Sequence, residues 1–230
     1  MFYITGDTHG EYARFLKGCI PFIDTMNRHD YLFICGDFGF VSKSNKDKIA
    51  LLDKLEQLPF TILFVDGNHE HFHDLNSFSV EEYCGGKIHR IRKNIIHLMR
   101  SQVFTIEGKT ILTMGGGYSL DKNQRIEGLD YFKEEMPSDE EYKEALINLK
   151  NHNNQVDYII SHSANEKTIW YMKTPHIKER QLNSFLQYID ETVTYKHWYF
   201  GHFHLDKDIT EKQTVLWFDI RNMETNKSVL

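Results

Sequence analysis

The sequence predicts an α/β fold: a four-layer α-β-β-α sandwich in which two mixed sheets lie face to face with flanking helices outside. The first third alternates short apolar runs with helix-patterned segments, as parallel strands with crossover helices do. The middle sets short strand-like runs close together, which marks an antiparallel portion or the start of a second sheet. Helix then returns, and three more apolar runs follow it.

In chain order, "FYIT" reads as the first strand. Tyr12, Phe15, Leu16, Cys19 and Ile23 fall at roughly helical spacing, so the segment from Glu11 to Met26 reads as a helix with a kink at Pro21. "YLFIC" is a buried strand, and "DKIALLDKLEQL" a helix with Ile49, Leu52 and Leu55 on one face, ended by Pro59. "TILFV" is the third strand. "NIIHLMR", "QVFTIEG" and "KTILTMG" are short strands, with a hairpin turn at Glu107-Gly108-Lys109. In "PSDEEYKEALINLKN", Ser138 is a helix N-cap with Glu141 as its capping-box partner. Tyr142, Ala145, Leu146 and Leu149 are that helix's expected buried stripe. "DYIIS", "KHWYF" and "KQTVLWFDI" supply the remaining strands.

Composition narrows the function classes. The 230 residues carry no repeat and no Pro/Ser-rich linker, so residues 1–230 read as one continuous domain. With 16 Phe and 12 Tyr, the chain can build a sizeable core. The net charge of -6 gives no global positive field to draw in nucleic acid. Three scattered cysteines argue for a reducing cytosol, against a disulfide framework and against a thiolate zinc site. No signal peptide or membrane-length apolar stretch is visible, so the expected location is cytoplasmic with no membrane partner.

Polar clusters follow five of the apolar runs. They are Asp7 and His9; Gly36-Asp37; Asp66-Gly67-Asn68-His69-Glu70; His162; and Gly201-His202-Phe203-His204. Functional groups gather at the carboxyl ends of strands in open α/β sheets. Each cluster alone is weak, since Asp-x-His and Gly-Asp recur by chance. Their shared placement is what a polynuclear metal site requires. Oxygen and imidazole donors without thiolate suit manganese, iron, zinc, cobalt or nickel. Two cations roughly 3.5–4 Å apart need a bridging carboxylate. Asp37, on a central strand, is the natural bridge.

In "GDTHG", "GDFG", "GNHE", "SHS" and "GHFH", spread from Asp7 to His204, the chain resembles the calcineurin-like metallophosphoesterases. The resemblance implies a binuclear metal-dependent phosphoesterase. It implies two divalent ions, manganese first, with iron, zinc, nickel, cobalt and magnesium as alternatives. One ion would be held by Asp7, His9, Asp37 and His204, the other by Asp37, Asn68, His162 and His202. A metal-bridging hydroxide would attack phosphorus, with His69 as general acid or transition-state stabiliser. Glu70 would orient a loop or His69, or simply be a solvated loop acid.

The substrate is less defined. The arginines of the serine/threonine phosphatase branch are absent, because the second motif continues "GDFGFVSKS" and Asp66 precedes Gly67. "GGGYSLDKNQR" and "EEMPSDEEY" are similar to segments of small bacterial and phage metallophosphoesterases. There Arg125 and Lys122 are candidates for phosphate contacts and Tyr118 for a hydrogen bond or stacking face. The competing reading is a tight turn with solvated charges. The basic stretch "KIHRIRKNIIHLMR" is expected to be a solvated strand edge, or else a groove for nucleic acid. A small phosphodiester or phosphomonoester is therefore the expected substrate. A nuclease of the same fold is the alternative, and a non-catalytic protein-binding scaffold ranks last because every expected donor is present. The oligomeric state is left open.

Overall fold

The computed structural model describes residues 1–174 and 179–230. Strands β1 (Phe2–Thr5), β2 (Tyr31–Ile34) and β3 (Thr61–Phe64) run parallel, with helix α1 (Lys46–Leu55) crossing between the last two. After the short helix α2 (Phe72–Leu75) come β4 (Val80–Tyr83), β5 (Gly86–Arg92) and β6 (Ile95–Leu98), an antiparallel meander that docks on β3 through β6. The hairpin β7 (Val103–Ile106) and β8 (Lys109–Met114) opens a second sheet. Helix α3 (Asp139–Asn151) leads into β9 (Tyr158–Ser161). Helices α4 (Glu166–Met172) and α5 (Arg180–Thr192) precede β10 (His197–Phe200). Strands β11 (Lys207–Thr210) and β12 (Gln213–Val215) complete that sheet, while β13 (Ile220–Asn222) and β14 (Lys227–Ser228) return to the first. The sheet orders are β14-β13-β1-β2-β3-β6-β5-β4 and β11-β12-β10-β9-β8-β7.

The four layers follow from strands buried on both faces. In β1, Phe2 and Ile4 point between the sheets and Tyr3 points outward. In β10, Tyr199 points between the sheets while Trp198 and Phe200 meet Leu182, Leu186 and Ile189 of α5. Leu52 and Leu55 of α1 cover the outer face of the first sheet. With period-two alternation and both faces covered, such strands read as unbroken apolar runs. Each fully buried Leu, Ile or Phe contributes about 1.5–3 kcal/mol. The layering places the carboxyl ends of β1, β2 and β3 beside those of β8, β9 and β10, because each trio runs parallel within its sheet.

Local chemistry holds where the expected motif is short. Ser138 accepts from the Glu141 amide while Glu141 accepts from the Ser138 amide at 2.7 Å, the expected capping box. Glu107 and Gly108 turn the β7–β8 hairpin with φ of 46° and 75°, the handedness a two-residue hairpin needs.

Four expectations need correction. Residues 11–26 form two 3₁₀ turns, Tyr12–Phe15 and Ile23–Thr25, in place of one kinked helix. Phe15 and Ile20 are buried but Leu16 is 45% exposed, so the helical spacing does not mark one buried face. Leu146 is exposed, leaving Tyr142, Ala145 and Leu149 as the buried stripe of α3. "KQTVLWFDI" is not one strand: β12 belongs to the second sheet and β13 to the first, and residues 216–219 carry the chain across. The basic stretch is not a sheet edge, since β5 is paired on both sides. Its charges are largely matched instead. Lys87 meets Glu144 at 2.6 Å, Arg90 meets Glu81 at 2.8 Å, Arg92 meets Asp53 at 2.9 Å, and buried Arg100 pairs with Asp66. No helix among the described residues is long and apolar enough to cross a membrane.

Candidate metal centre

The strand ends deliver their polar residues to one place. The Asp7 carboxylate lies 3.3 Å from His204 Nε2 and 3.9 Å from His9 Nε2, and the two imidazole nitrogens are 2.9 Å apart. On the other side, His162 Nε2 lies 3.0 Å from Asn68 Oδ1 and 3.5 Å from the Asp37 carboxylate. Asp37 Oδ2 is also 3.8 Å from His9 Nε2, so this one side chain reaches both groups. Donor atoms of Asp7, His9 and His204, and again of Asp7, Asp37 and His162, all lie within 4.8 Å of one another. His202 enters differently. Its amide donates to both Asp7 oxygens, at 3.0 and 3.1 Å, and its Nε2 faces Glu179 at 3.5 Å.

Backbone conformation is spent on this convergence. His9, Asp37, His202 and His204 have φ between 46° and 68°, four of the seven candidate donors in the left-handed region. Such residues cost about 1–3 kcal/mol each and persist where the surroundings over-determine them. At Gly67 and Gly201 the reason for glycine is proximity: a Cβ there would sit 2.1 Å from Asp37 Oδ1 and 2.0 Å from Asp7 Oδ1. Neither glycine has φ in the left-handed region, so close approach and not backbone handedness is what requires them.

Hydrogen bonds set the donor faces. His162 Nδ1 donates to the Cys35 carbonyl at 2.7 Å, which leaves the Nε2 lone pair pointing at Asn68 and Asp37. Asn68 Nδ2 donates to Ser119 Oγ at 3.0 Å, which turns its Oδ1 toward His162. The Asp37 carboxylate also accepts the His69 amide at 2.7 Å. Burial raises the Asp37 pKa, but His162, His69 and His9 outweigh it and hold the group below the usual carboxylate range. For His202, burial opposes protonation, while Glu179 pushes the pKa up to about 9. The His204 pKa is likewise raised, by its hydrogen bond to Asp7, so these two imidazoles favour positive charge beside the carboxylates. The oxygen and imidazole donor set therefore fits divalent cations.

His69 stands over this cluster, its ring centroid 5.3 Å from that of His9. Arg125 donates to His69 Nδ1 at 2.9 Å, which leaves the neutral ring's proton on Nε2. Crowding out of water lowers the His69 pKa; Asp37 opposes this, while Arg125, His9 and His162 lower it further. Of the three candidate substrate contacts, Arg125 is the one brought to His69. Lys122 lies 4.5 Å from the Tyr118 ring centroid, and the Tyr118 amide donates to Glu179. Glu70 is no solvated acid: buried, it accepts from the Phe38 and Gly39 amides at 2.6 and 3.3 Å and so fixes the loop that carries Asp37. Burial and the Asp37 charge push its pKa up to about 8, with those two amides opposing.

Several supporting residues carry no readable signal. Glu179 lies outside every motif, yet it is buried against His202, Ser163 and the Tyr118 amide. Glu135 is buried next to Ser119, and burial lifts its pKa to about 7. Ser119 sits in "GGGYSLDKNQR", just after the run Gly115-Gly116-Gly117. A Cβ at Gly117 would lie 3.1 Å from Asn68 Oδ1, so that run does pass against the donors.

No match was found among curated proteins. The family model described as calcineurin-like phosphoesterase matches residues 1–206, which include all seven converging donors and His69. The chain therefore belongs to the calcineurin-like phosphoesterases, hydrolases that act on phosphate esters.

Proposed function

We propose that this chain hydrolyses a small phosphodiester or phosphomonoester with two divalent cations, manganese being the first choice. The observation that carries the reading is the meeting of seven oxygen and imidazole donors from five strand ends, with Asp37 reaching both groups. Asp7, His9, Asp37 and His204 would hold one cation, and Asp37, Asn68, His162 and His202 the other. When bound, the pair would offset phosphate charge and acidify a water between them.

The protein's own groups do the remaining work. His69, with its proton on Nε2, hydrogen-bonds the leaving oxygen and protonates it when itself charged. Arg125, held in turn by Asp121 and the Asp130 carbonyl, orients His69 through Nδ1 and turns the rest of its guanidinium edge toward a phosphate oxygen. Lys122 and Tyr118, in cation–π contact, extend the same wall toward the rest of the substrate. Support for a small ester over a polynucleotide comes from the ion pairs that consume the basic stretch and from the net charge of -6.

The test is a screen of manganese-reconstituted protein over monoesters, diesters, cyclic nucleotides and dinucleotides. Asp37→Asn should reduce turnover to background, and His69→Ala should slow poor leaving groups most. Full activity in Asp37→Asn would end this assignment, and processive cleavage of DNA or RNA with steep salt dependence would favour the nuclease.

A further inference from the structure

Arg14 is 7% exposed, and among the described residues no carboxylate lies within ion-pair distance of it. A guanidinium buried without a counter-ion is costly unless its donors are well used. Here they are spent on three oxygens. Nη1 donates to the Asp7 carbonyl at 2.9 Å, and Nη2 donates to Thr5 Oγ1 at 3.0 Å and to the Trp217 carbonyl at 2.6 Å. The guanidinium also lies 4.4 Å from the Phe218 ring centroid. Trp217 in turn stacks on His204, with centroids 4.9 Å apart and an interplanar angle of 9°. Asp206 closes the unit by accepting the amides of Trp217, Phe218 and Asp219. The buried Arg14 guanidinium thus connects Asp7 directly, and His204 through an aromatic plate, two donors that lie far apart along the chain.

We propose that Arg14 and Trp217 are positioning residues that hold Asp7 and His204 in register, and that they set the grip on the solvent-facing cation without setting the grip on the buried one. The inference rests on the two-cation reading above. Among the described residues, neither Arg14 nor Trp217 contacts the Asn68, His162 or His202 side chains, whose nearest supports are Ser119, the Cys35 carbonyl and Glu179; Asp7 itself reaches this half through the His202 amide.

Charge and geometry make opposite demands, which allows a clear test. A fixed positive charge repels a nearby cation, so Arg14→Met should tighten binding if charge alone matters. A brace predicts the reverse for both Arg14→Met and Arg14→Lys, because neither side chain can span all three acceptors. The measurement is calorimetric titration of Mn2+ into the metal-free full chain. Wild-type protein should take up two Mn2+. Both Arg14 variants and Trp217→Leu should weaken one of the two events by about 10–100-fold, the scale of lost outer-shell support. His204→Ala should affect that same event, the other should not move, and Trp217→Phe should restore it by keeping a stacked ring. Equal weakening of both events, no change in either, or tighter binding by Arg14→Met overturns the brace while leaving the two-cation reading intact. Should Arg14→Met not fold, Trp217→Leu decides, since that ring is only half-buried. Fewer than two Mn2+ in wild-type protein overturns the two-cation reading and the brace with it.

Discussion

The two halves of the centre are built to different standards. The side chains of His9 and His204 are 29% and 46% exposed, while that of His162 is fully buried. Asn68 is 3% exposed. The solvent-facing half takes its donors from loops with left-handed residues at His9 and His204. The inner half sits on a carbonyl and a hydroxyl that leave His162 and Asn68 one orientation each. Water competes for His9 and His204 in the first half and is kept from His162 and Asn68 in the second. The inner position should accordingly hold its ion longer, and the outer one should exchange first.

Breaking the shared element should have the largest effect. Asp37→Asn removes the one carboxylate that reaches both halves, so both Mn2+ binding events and turnover should collapse together. Retention of one full-affinity event in a titration would mean that the halves do not share it. His69→Ala should come next, lowering kcat by about 10²–10⁴-fold for poor leaving groups. Both binding events should survive, which steady-state kinetics beside calorimetry would show.

The halves should also part in stability. His162→Ala leaves the Cys35 carbonyl and Asn68 short of a partner in the interior, a loss of about 1–3 kcal/mol. His204→Ala, at the surface, should stay within about 0.5 kcal/mol. Urea unfolding of the metal-free variants measures both, and equal losses would erase the contrast. The smallest effect lies outside the centre. Burial pushes the His197 pKa down to about 4. A depressed imidazole contributes stability that is present above its unfolded value near 6.5 and lost as pH falls through 4. His197→Gln should flatten the acid limb of the stability curve between about pH 6.5 and 4, read by thermal melts at several pH values.

The donors were legible in the sequence because each stands within four residues of an apolar strand, and Asp7, His9, Asp37, Asn68 and His202 also stand beside a glycine. Strand burial and motif thus reinforced one another at Asp37, Asn68, His162 and His202. The supports were not legible, for physical reasons. Arg14 sits in a segment whose apolar spacing imitates a helix, and nothing local marks a buried arginine whose partners lie 203 residues away at Trp217. Glu179 follows residues 175–178, outside the described part of the chain, and meets His202 only through the tertiary fold. The split of "KQTVLWFDI" between two sheets was hidden because both halves are apolar and the crossover at residues 216–219 has no proline or glycine to announce it.

That crossover has a practical side. The family match stops at residue 206, yet the last 24 residues, 207 to 230, place strands in both sheets and set Trp217 behind His204. An expression fragment trimmed to the matched segment would lose the clasp that ties the two layers together at this end. Its donors would all be encoded and still be poorly aimed.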